Sequence, residues 1–102
     1  MKETPRTSGS ANDTCRLTLF VAGNEPNSRA AQANLAQFCD TALPDRHTVE
    51  IVDVLKDFAD AARHGVVVTP TLLVHRGARP LHVLGTLSDT GRLRAALGLE
   101  SA

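Results

Sequence analysis

The sequence has no tryptophan and no tyrosine, and its phenylalanines are only Phe20, Phe38 and Phe58. Proteins that hold single-stranded nucleic acids or sugars commonly stack these ligands on aromatic side chains. With so few aromatic faces, a site that recognises its ligand by stacking is not expected. The core of the protein must be built mainly from aliphatic side chains.

The chain also lacks an excess of charge of one sign, because 11 Lys and Arg residues balance 11 Asp and Glu residues. No overall field attracts phosphate backbones or anionic lipids, so neither nucleic acid nor a membrane is an expected partner. No stretch approaches the roughly 20 apolar residues that span a bilayer. Residues 1–14 lack the apolar run of a signal peptide, and we expect a cytoplasmic protein.

What the sequence does contain is enough for one folded domain. It has 102 residues, of which 42% are hydrophobic, and a chain of this length can bury a core of its own. Residues 1–14 are rich in small and polar side chains without periodicity, which predicts a flexible tail. Residues 15–102 are predicted to form a single α/β domain.

The first half of this domain predicts a strand, a helix and a second strand. Residues 16–22 are apolar on both alternating faces, as in a strand covered by helices on both sides. Residues 48–55 are β-branched and also apolar on both faces, which predicts a second strand. Between them, Pro26 suits the first turn of a helix that continues to about Leu43. Together these elements predict a parallel, right-handed βαβ unit.

The second half predicts a helix, a hairpin and a last helix. The helix spans 56–64, and its inward face is predicted to consist of Phe58, Ala61 and Ala62. The hairpin joins strands 71–75 and 81–84 through a turn at 76–79. Ser88 can cap the last helix. The complete order is therefore βαβαββα.

This order is that of the thioredoxin fold, whose redox enzymes carry a CxxC motif at the start of the first helix, where the helix dipole lowers a thiol pKa. Here the corresponding turn reads Asn24–Glu25–Pro26–Asn27. Cys15 precedes the first strand, and Cys39 lies late in the helix on its apolar side, as a small buried hydrophobe would. We predict no disulfide, no catalytic residue and no dithiol oxidoreductase activity.

Other motifs for cofactors or catalysis are missing as well. The histidines stand singly, and His75 and His82 are predicted to pack against each other across the hairpin rather than to bind a metal. Glu50 and Asp53 on the second strand are interpreted as a solvated face rather than an acid/base pair. The sequence also lacks GxGxxG and GxxxxGK, so no cofactor is expected.

Thr69–Pro70 occupies the thioredoxin-fold position at which the proline is commonly cis, and this analogy predicts a cis bond. Two interpretations of the proline remain open. It exposes the backbone of Val68 and Thr69 to a partner, or it provides a tight entry into the hairpin.

Four segments taken together resemble the KaiB family. They are LFVAGNEPNSRAA (19–31), VEIVDVLKD (49–57), VTPTLLV (68–74) and LGTLSD (84–89). The combination of AGN-PNS, DVLK and TPTL is far more specific than any one segment. The resemblance implies a non-enzymatic regulator that binds the N-terminal ATPase ring of a KaiC-type ATPase. It would modulate the phosphorylation and ATPase cycle of that enzyme in a circadian clock, a timer or a stress response.

The resemblance also implies two folds of one sequence. A ground state forms dimers or tetramers, and a thioredoxin-like monomer binds KaiC, the two differing in the C-terminal half. The switching segment corresponds to Gly85, Thr86 and Asp89, with Gly85–Thr86 in place of the Gly-Asp of cyanobacterial members. The residues that the resemblance places at the KaiC-facing surface are Asn24, Pro26, Lys56, Val68, Thr69 and Pro70.

The sequence departs from the family pattern where the family docks KaiA. Glu50 stands in place of an edge lysine, and this charge reversal opposes the same docking. The acidic C-terminal extension of clock members has no counterpart before Ala102. Two alternatives are a KaiB-like sensor module of a two-component system, which the end at Ala102 disfavours, and a glutaredoxin-like redox protein, which the missing CxxC disfavours.

Overall fold

The computed structural model describes residues 15–75 and 80–99. The predicted tail (1–14) and the predicted turn (76–79) lie outside these ranges. The elements are β1 Cys15–Val21, α1 Pro26–Ala42, β2 His47–Asp53, α2 Phe58–Arg63, β3 Thr71–His75, β4 Leu81–Leu84 and α3 Thr90–Ala96. The predicted order βαβαββα is confirmed.

The strands form one mixed sheet in the order β2-β1-β3-β4. β1 and β2 are parallel, whereas β3 runs antiparallel to β1, and β4 to β3. Because β2 lies at the edge of the sheet, Val52 is its only buried residue. Val49, on the opposite face of the strand, is half-buried against the core, so both faces of β2 are covered only in part.

Helices cover the two faces of the sheet unequally. The larger cluster joins one face of the sheet to α1 and α3, and its largest fully buried members are Leu19, Leu35, Leu43, Leu72 and Leu93. On the second face, Ala61 of α2 covers a smaller cluster of Phe20, Val52 and Leu73. Apart from Phe20, Phe38 and Cys39, the buried hydrophobic residues described are all aliphatic, as predicted.

The inward face predicted for α2 is mostly wrong. Only Ala61 is buried, whereas Ala62 is exposed and 74% of Phe58 is accessible to solvent. α2 begins at Phe58 instead of residue 56, so this side chain belongs to the first residue of the helix, and it lines a groove together with Val67 and Val68. Six residues make less than two helical turns, and one alanine is the only part of the helix that the sheet buries.

The last helix also begins later than predicted. Leu87 is buried with a left-handed φ of 65°, and the chain turns there before α3. The cap is Asp89, whose Oδ1 accepts the Arg92 N–H at 3.2 Å. Ser88, the predicted cap, precedes it. Both residue types cap helices well, and the position of the turn decides between them.

Histidine and carboxylate side chains on the sheet are arranged differently from the prediction. His75 Nε2 lies 2.8 Å from Thr18 Oγ1 on the neighbouring strand. His82 stands opposite Leu73, two positions from His75 along β3, so the two histidines are diagonal neighbours rather than directly opposite each other. Glu50 and Asp53 are three residues apart in an alternating strand and lie on opposite faces, so they form no common solvated face.

The environment of His75 favours its neutral form. Burial lowers the pKa of His75 below its usual value, Arg16 and His64 lower it further, and Glu50 opposes them. Between the lowered pKa of the folded state and the ordinary histidine pKa, the unfolded chain therefore binds more protons than the folded chain. The stability that His75 contributes is present above the ordinary histidine pKa and is lost as the pH falls toward the folded-state pKa.

We predict that His75→Gln reduces the loss of unfolding free energy between about pH 7 and about pH 5, because glutamine carries no titrating proton in this range. Urea unfolding at a series of pH values measures the slope. His82→Gln, at an exposed histidine on the adjacent strand, is the control for the substitution itself. An equal slope in wild type and His75→Gln would contradict the prediction.

Candidate functional site

Segments distant in sequence meet at one end of the sheet. β1 and β2 are parallel, so their carboxyl ends lie at the same end of the sheet, and the antiparallel β3 starts at that end. The turn after β1, the turn after β2 and the segment before β3 are therefore neighbours. We call residues 23–26, 54–58 and 66–70 together the loop surface.

The loop surface contains all six residues predicted to bind a partner. Asn24, Pro26 and Lys56 are exposed, Val68 is 49% exposed, and Thr69 is partly covered. Pro70 is buried. The structure thus brings the six positions to one end of the sheet and leaves all but Pro70 at least partly open to solvent.

The segment before β3 is held by hydrogen bonds. The Thr69–Pro70 bond is cis, as the fold analogy predicts. The Thr71 hydroxyl donates to the Val68 carbonyl at 2.7 Å, and the Gly85 N–H donates to the Pro70 carbonyl at 3.0 Å. The Val68 carbonyl is thus already engaged, and Val68 presents its side chain to solvent.

Exposed apolar side chains are the feature of this surface that sequence reasoning missed. Leu55 is 71% exposed and Val67 is 91% exposed, in addition to Phe58. Phe58, Val67 and Val68 line a groove of about 340 Å³. The hydrophobic pattern predicts burial for such residues, and their position at the ends of elements was the available signal. Contiguous exposed apolar surface commonly marks an interaction site.

The turn at the start of α1, which corresponds to the CxxC turn of redox enzymes with this fold, is capped by the carboxylate of Glu25. Glu25 Oε1 accepts the Ser28 N–H at 3.0 Å, and Ser28 Oγ accepts the Ala22 N–H at 3.0 Å. Glu25 therefore engages a first-turn amide of the kind that would otherwise stabilise an anionic sulfur. This turn is built to be capped by its own side chains.

Asp53 also differs from its interpretation as a solvated carboxylate. It is partly buried, and its Oδ1 accepts the Gly23 N–H and the Leu55 N–H, each at 3.0 Å. These amides belong to two different segments of the loop surface. No motif in the sequence indicates this role, because Gly23 follows β1 and Asp53 is the last residue of β2, 30 positions away.

The cysteines lie away from the loop surface. Cys39 is buried late in α1, and burial raises its pKa to about 11, with smaller contributions from Cys15 and Asp40. Cys15 is the first residue of β1, not a residue before the strand as predicted, and both thiols are free. A thiol with this pKa is almost entirely protonated near neutral pH and is a poor nucleophile.

The residues of the predicted switching segment connect β4 with α3. Gly85 has a φ of 102°, a conformation that favours glycine, and its N–H binds Pro70 as described above. The Thr86 carbonyl accepts from Asn34 Nδ2 of α1 at 2.9 Å. Asp89 caps α3. The segment thus contacts the loop surface through Gly85 and α1 through Thr86.

Neither a metal-binding cluster nor a membrane-spanning helix occurs in the part of the chain that the structure describes. Within residues 15–75 and 80–99, no group of three or more His, Cys, Asp and Glu side chains is arranged to hold a metal ion. In the same part of the chain, no helix combines the length and the apolar character that crossing a bilayer requires.

Comparisons with known proteins agree on one family and one fold. The family model described as KaiB domain matches residues 18–99. Circadian clock protein KaiB3 from Synechocystis is 34% identical over 84 residues, which cover 82% of this chain and 80% of that protein. Circadian clock oscillator protein KaiB from Prochlorococcus marinus is also 34% identical over 84 residues, covering 82% and 70%. The structure of Fasciola hepatica thioredoxin matches with a TM-score of 0.68 and 16% identity over 87% of this chain and 83% of that one. At that identity it shows a thioredoxin-like fold alone.

We predict that the Cys39 thiol of a Cys15→Ser variant resists modification by dithionitrobenzoate at about pH 8 in the native protein, because the thiol is buried and protonated. In urea the same thiol should react completely. The single remaining cysteine makes the absorbance change unambiguous. Rapid modification of the native variant, or a measured thiol pKa below that of free cysteine, would contradict the prediction.

Proposed function

The chain belongs to the KaiB family, and we propose that it is a regulatory binding protein that docks on the N-terminal ATPase ring of a KaiC-type ATPase. Docking modulates the phosphorylation and ATPase cycle of that partner, in a circadian clock or in a timer or stress response. One observation carries the proposal. Family motifs that are far apart in sequence together form the loop surface, at the end of the sheet where β1 and β2 end.

The loop surface has the composition of a docking site. It combines largely exposed apolar side chains, those of Leu55, Phe58 and Val67, with the exposed polar side chains of Asn24 and Lys56. Removing apolar surface from water contributes about 25 cal/mol per Å². Aromatic side chains near the centre of an interface often dominate its affinity. We therefore propose Phe58 as the main anchor and Lys56 as a rim contact.

The proposal is one of binding without catalysis. The turn that carries a thiol in redox members of the fold carries Glu25 and Pro26, and the Cys39 thiol has a raised pKa. A glutaredoxin-like activity remains the alternative that turnover in an insulin-reduction or glutathione assay would restore. A sensor module of a two-component system is the other alternative, and it would bind a kinase instead of a KaiC-type ring.

The proposal also covers the two folding states of the protein and its relation to KaiA, as predicted from the sequence. The thioredoxin-like fold is the binding monomer, and a ground-state dimer or tetramer is the second state, both in the cytoplasm. Glu50 is exposed on the edge strand β2, where its charge opposes docking of KaiA. We therefore propose no KaiA contact of the kind that clock members make through this strand.

We predict that Phe58→Ala weakens binding to a KaiC homologue from the same organism by about tenfold or more, because it removes the largest apolar anchor. Titrations followed by native mass spectrometry, with ATP and with ADP, measure the complex. Leu81→Ala is the matched control, since Leu81 is a 44% exposed apolar residue on β4, at the far edge of the sheet.

Leu81→Ala should bind within about twofold of wild type. Both substitutions remove exposed side chains, so thermal unfolding should change little in either variant. If the wild-type protein forms no nucleotide-dependent complex, the proposed function is wrong. If both variants lose affinity equally, the loop surface is not the docking site.

A further inference from the structure

Asp53, the last residue of β2, joins two segments of the loop surface. Its Oδ1 accepts one N–H from the turn after β1, that of Gly23, and one from the turn after β2, that of Leu55. The Asp53 carbonyl accepts the N–H groups of Lys56 at 3.0 Å and Asp57 at 2.9 Å. One residue therefore holds the second turn through both its side chain and its backbone and connects it to the first turn.

The two turns that Asp53 connects are already in close contact. Gly23 has a left-handed φ of 53°, and a Cβ atom built there would lie 3.2 Å from Leu55 Cδ1. The Val54 N–H donates to the Val21 carbonyl at 2.8 Å, which extends the pairing of β1 and β2 up to the turns. The Asp53 carboxylate lies where this pairing ends. Its Oδ1 accepts the Gly23 N–H in place of a backbone carbonyl.

We propose that Asp53 is the positioning residue of the loop surface. Its carboxylate fixes the turn that carries Asn24 and Pro26 against the turn that carries Leu55 and Lys56. A partner then meets both turns as one preformed surface and does not have to order them on binding. This inference rests on the proposed function for its binding consequence, but the hydrogen bonds themselves are testable in the free protein.

The chemistry of the side chain makes the inference specific. A carboxylate oxygen accepts both N–H groups with the added strength of a charge-assisted bond. An asparagine carbonyl oxygen can accept the same two groups without the charge, whereas alanine can accept neither. Asp53 belongs to neither hydrophobic cluster. Its loss should therefore release the turns more than it unfolds the core, and preformed surfaces bind more tightly than surfaces that must be ordered.

Hydrogen exchange of the free protein, followed residue by residue by NMR, is the first experiment. In Asp53→Ala, protection of the Gly23 and Leu55 amides should fall roughly tenfold or more, because both lose their acceptor. Asp53→Asn should keep most of the protection of these two amides. Asp57→Ala is the control, since Asp57 precedes α2 in the same turn and makes no side-chain cap hydrogen bond. Unchanged protection in Asp53→Ala overturns the inference.

Affinity for the KaiC homologue is the second experiment. Asp53→Ala should bind less tightly than wild type, with Asp53→Asn between the two. Asp40→Ala, at an exposed carboxylate of α1 outside the loop surface, should bind like wild type. Loss of amide protection in Asp53→Ala without loss of affinity overturns the positioning role. If the wild type itself does not bind, the proposed function fails, and the exchange experiment still decides whether Asp53 joins the turns.

Asp53→Glu is measured as well, in case Asp53→Ala does not fold. It keeps the charge and moves the carboxylate by one methylene, so protection of both amides and affinity should fall while the unfolding transition stays close to that of wild type. Protection and affinity equal to those of wild type in Asp53→Glu would overturn the inference.

Discussion

The parallel pairing of β1 with β2 is the contact on which the rest of the structure depends. It buries Leu19 and Phe20 on opposite faces of the sheet, and it makes the carboxyl ends of both strands neighbours. The antiparallel β3 then has to begin at the same edge, which places the cis Thr69–Pro70 bond beside the two turns. The loop surface exists because of this pairing.

The same pairing places the start of α1 within the loop surface. In this chain, Glu25 and Ser28 cap that helix, while the buried thiol of Cys39 lies late in the helix. Exposed apolar side chains, above all Phe58, supply what a partner can bind. These exposed side chains are the basis of the proposed docking function.

Hydrophobic periodicity predicted the order of the elements, because the spacing of apolar residues within a strand or helix reflects which of its side chains are buried. It could not predict that β2 is an edge strand or that Phe58 is exposed, because both depend on strand order and on where α2 begins. The register of β4 places His82 opposite Leu73, and no local sequence pattern predicts this register. The predicted site residues came from family motifs, whereas the role of Asp53 depends on a turn contributed by another strand.

The central claim is that the loop surface is what a KaiC-type partner covers. Hydrogen exchange of this protein in complex with a KaiC homologue, read by mass spectrometry against the free protein, tests it most directly. The account predicts slowed exchange in residues 23–26, 54–58 and 66–70, with little change in β4 and α3. Slowed exchange confined to β4 and α3, with the loop surface exchanging as in the free protein, would contradict it.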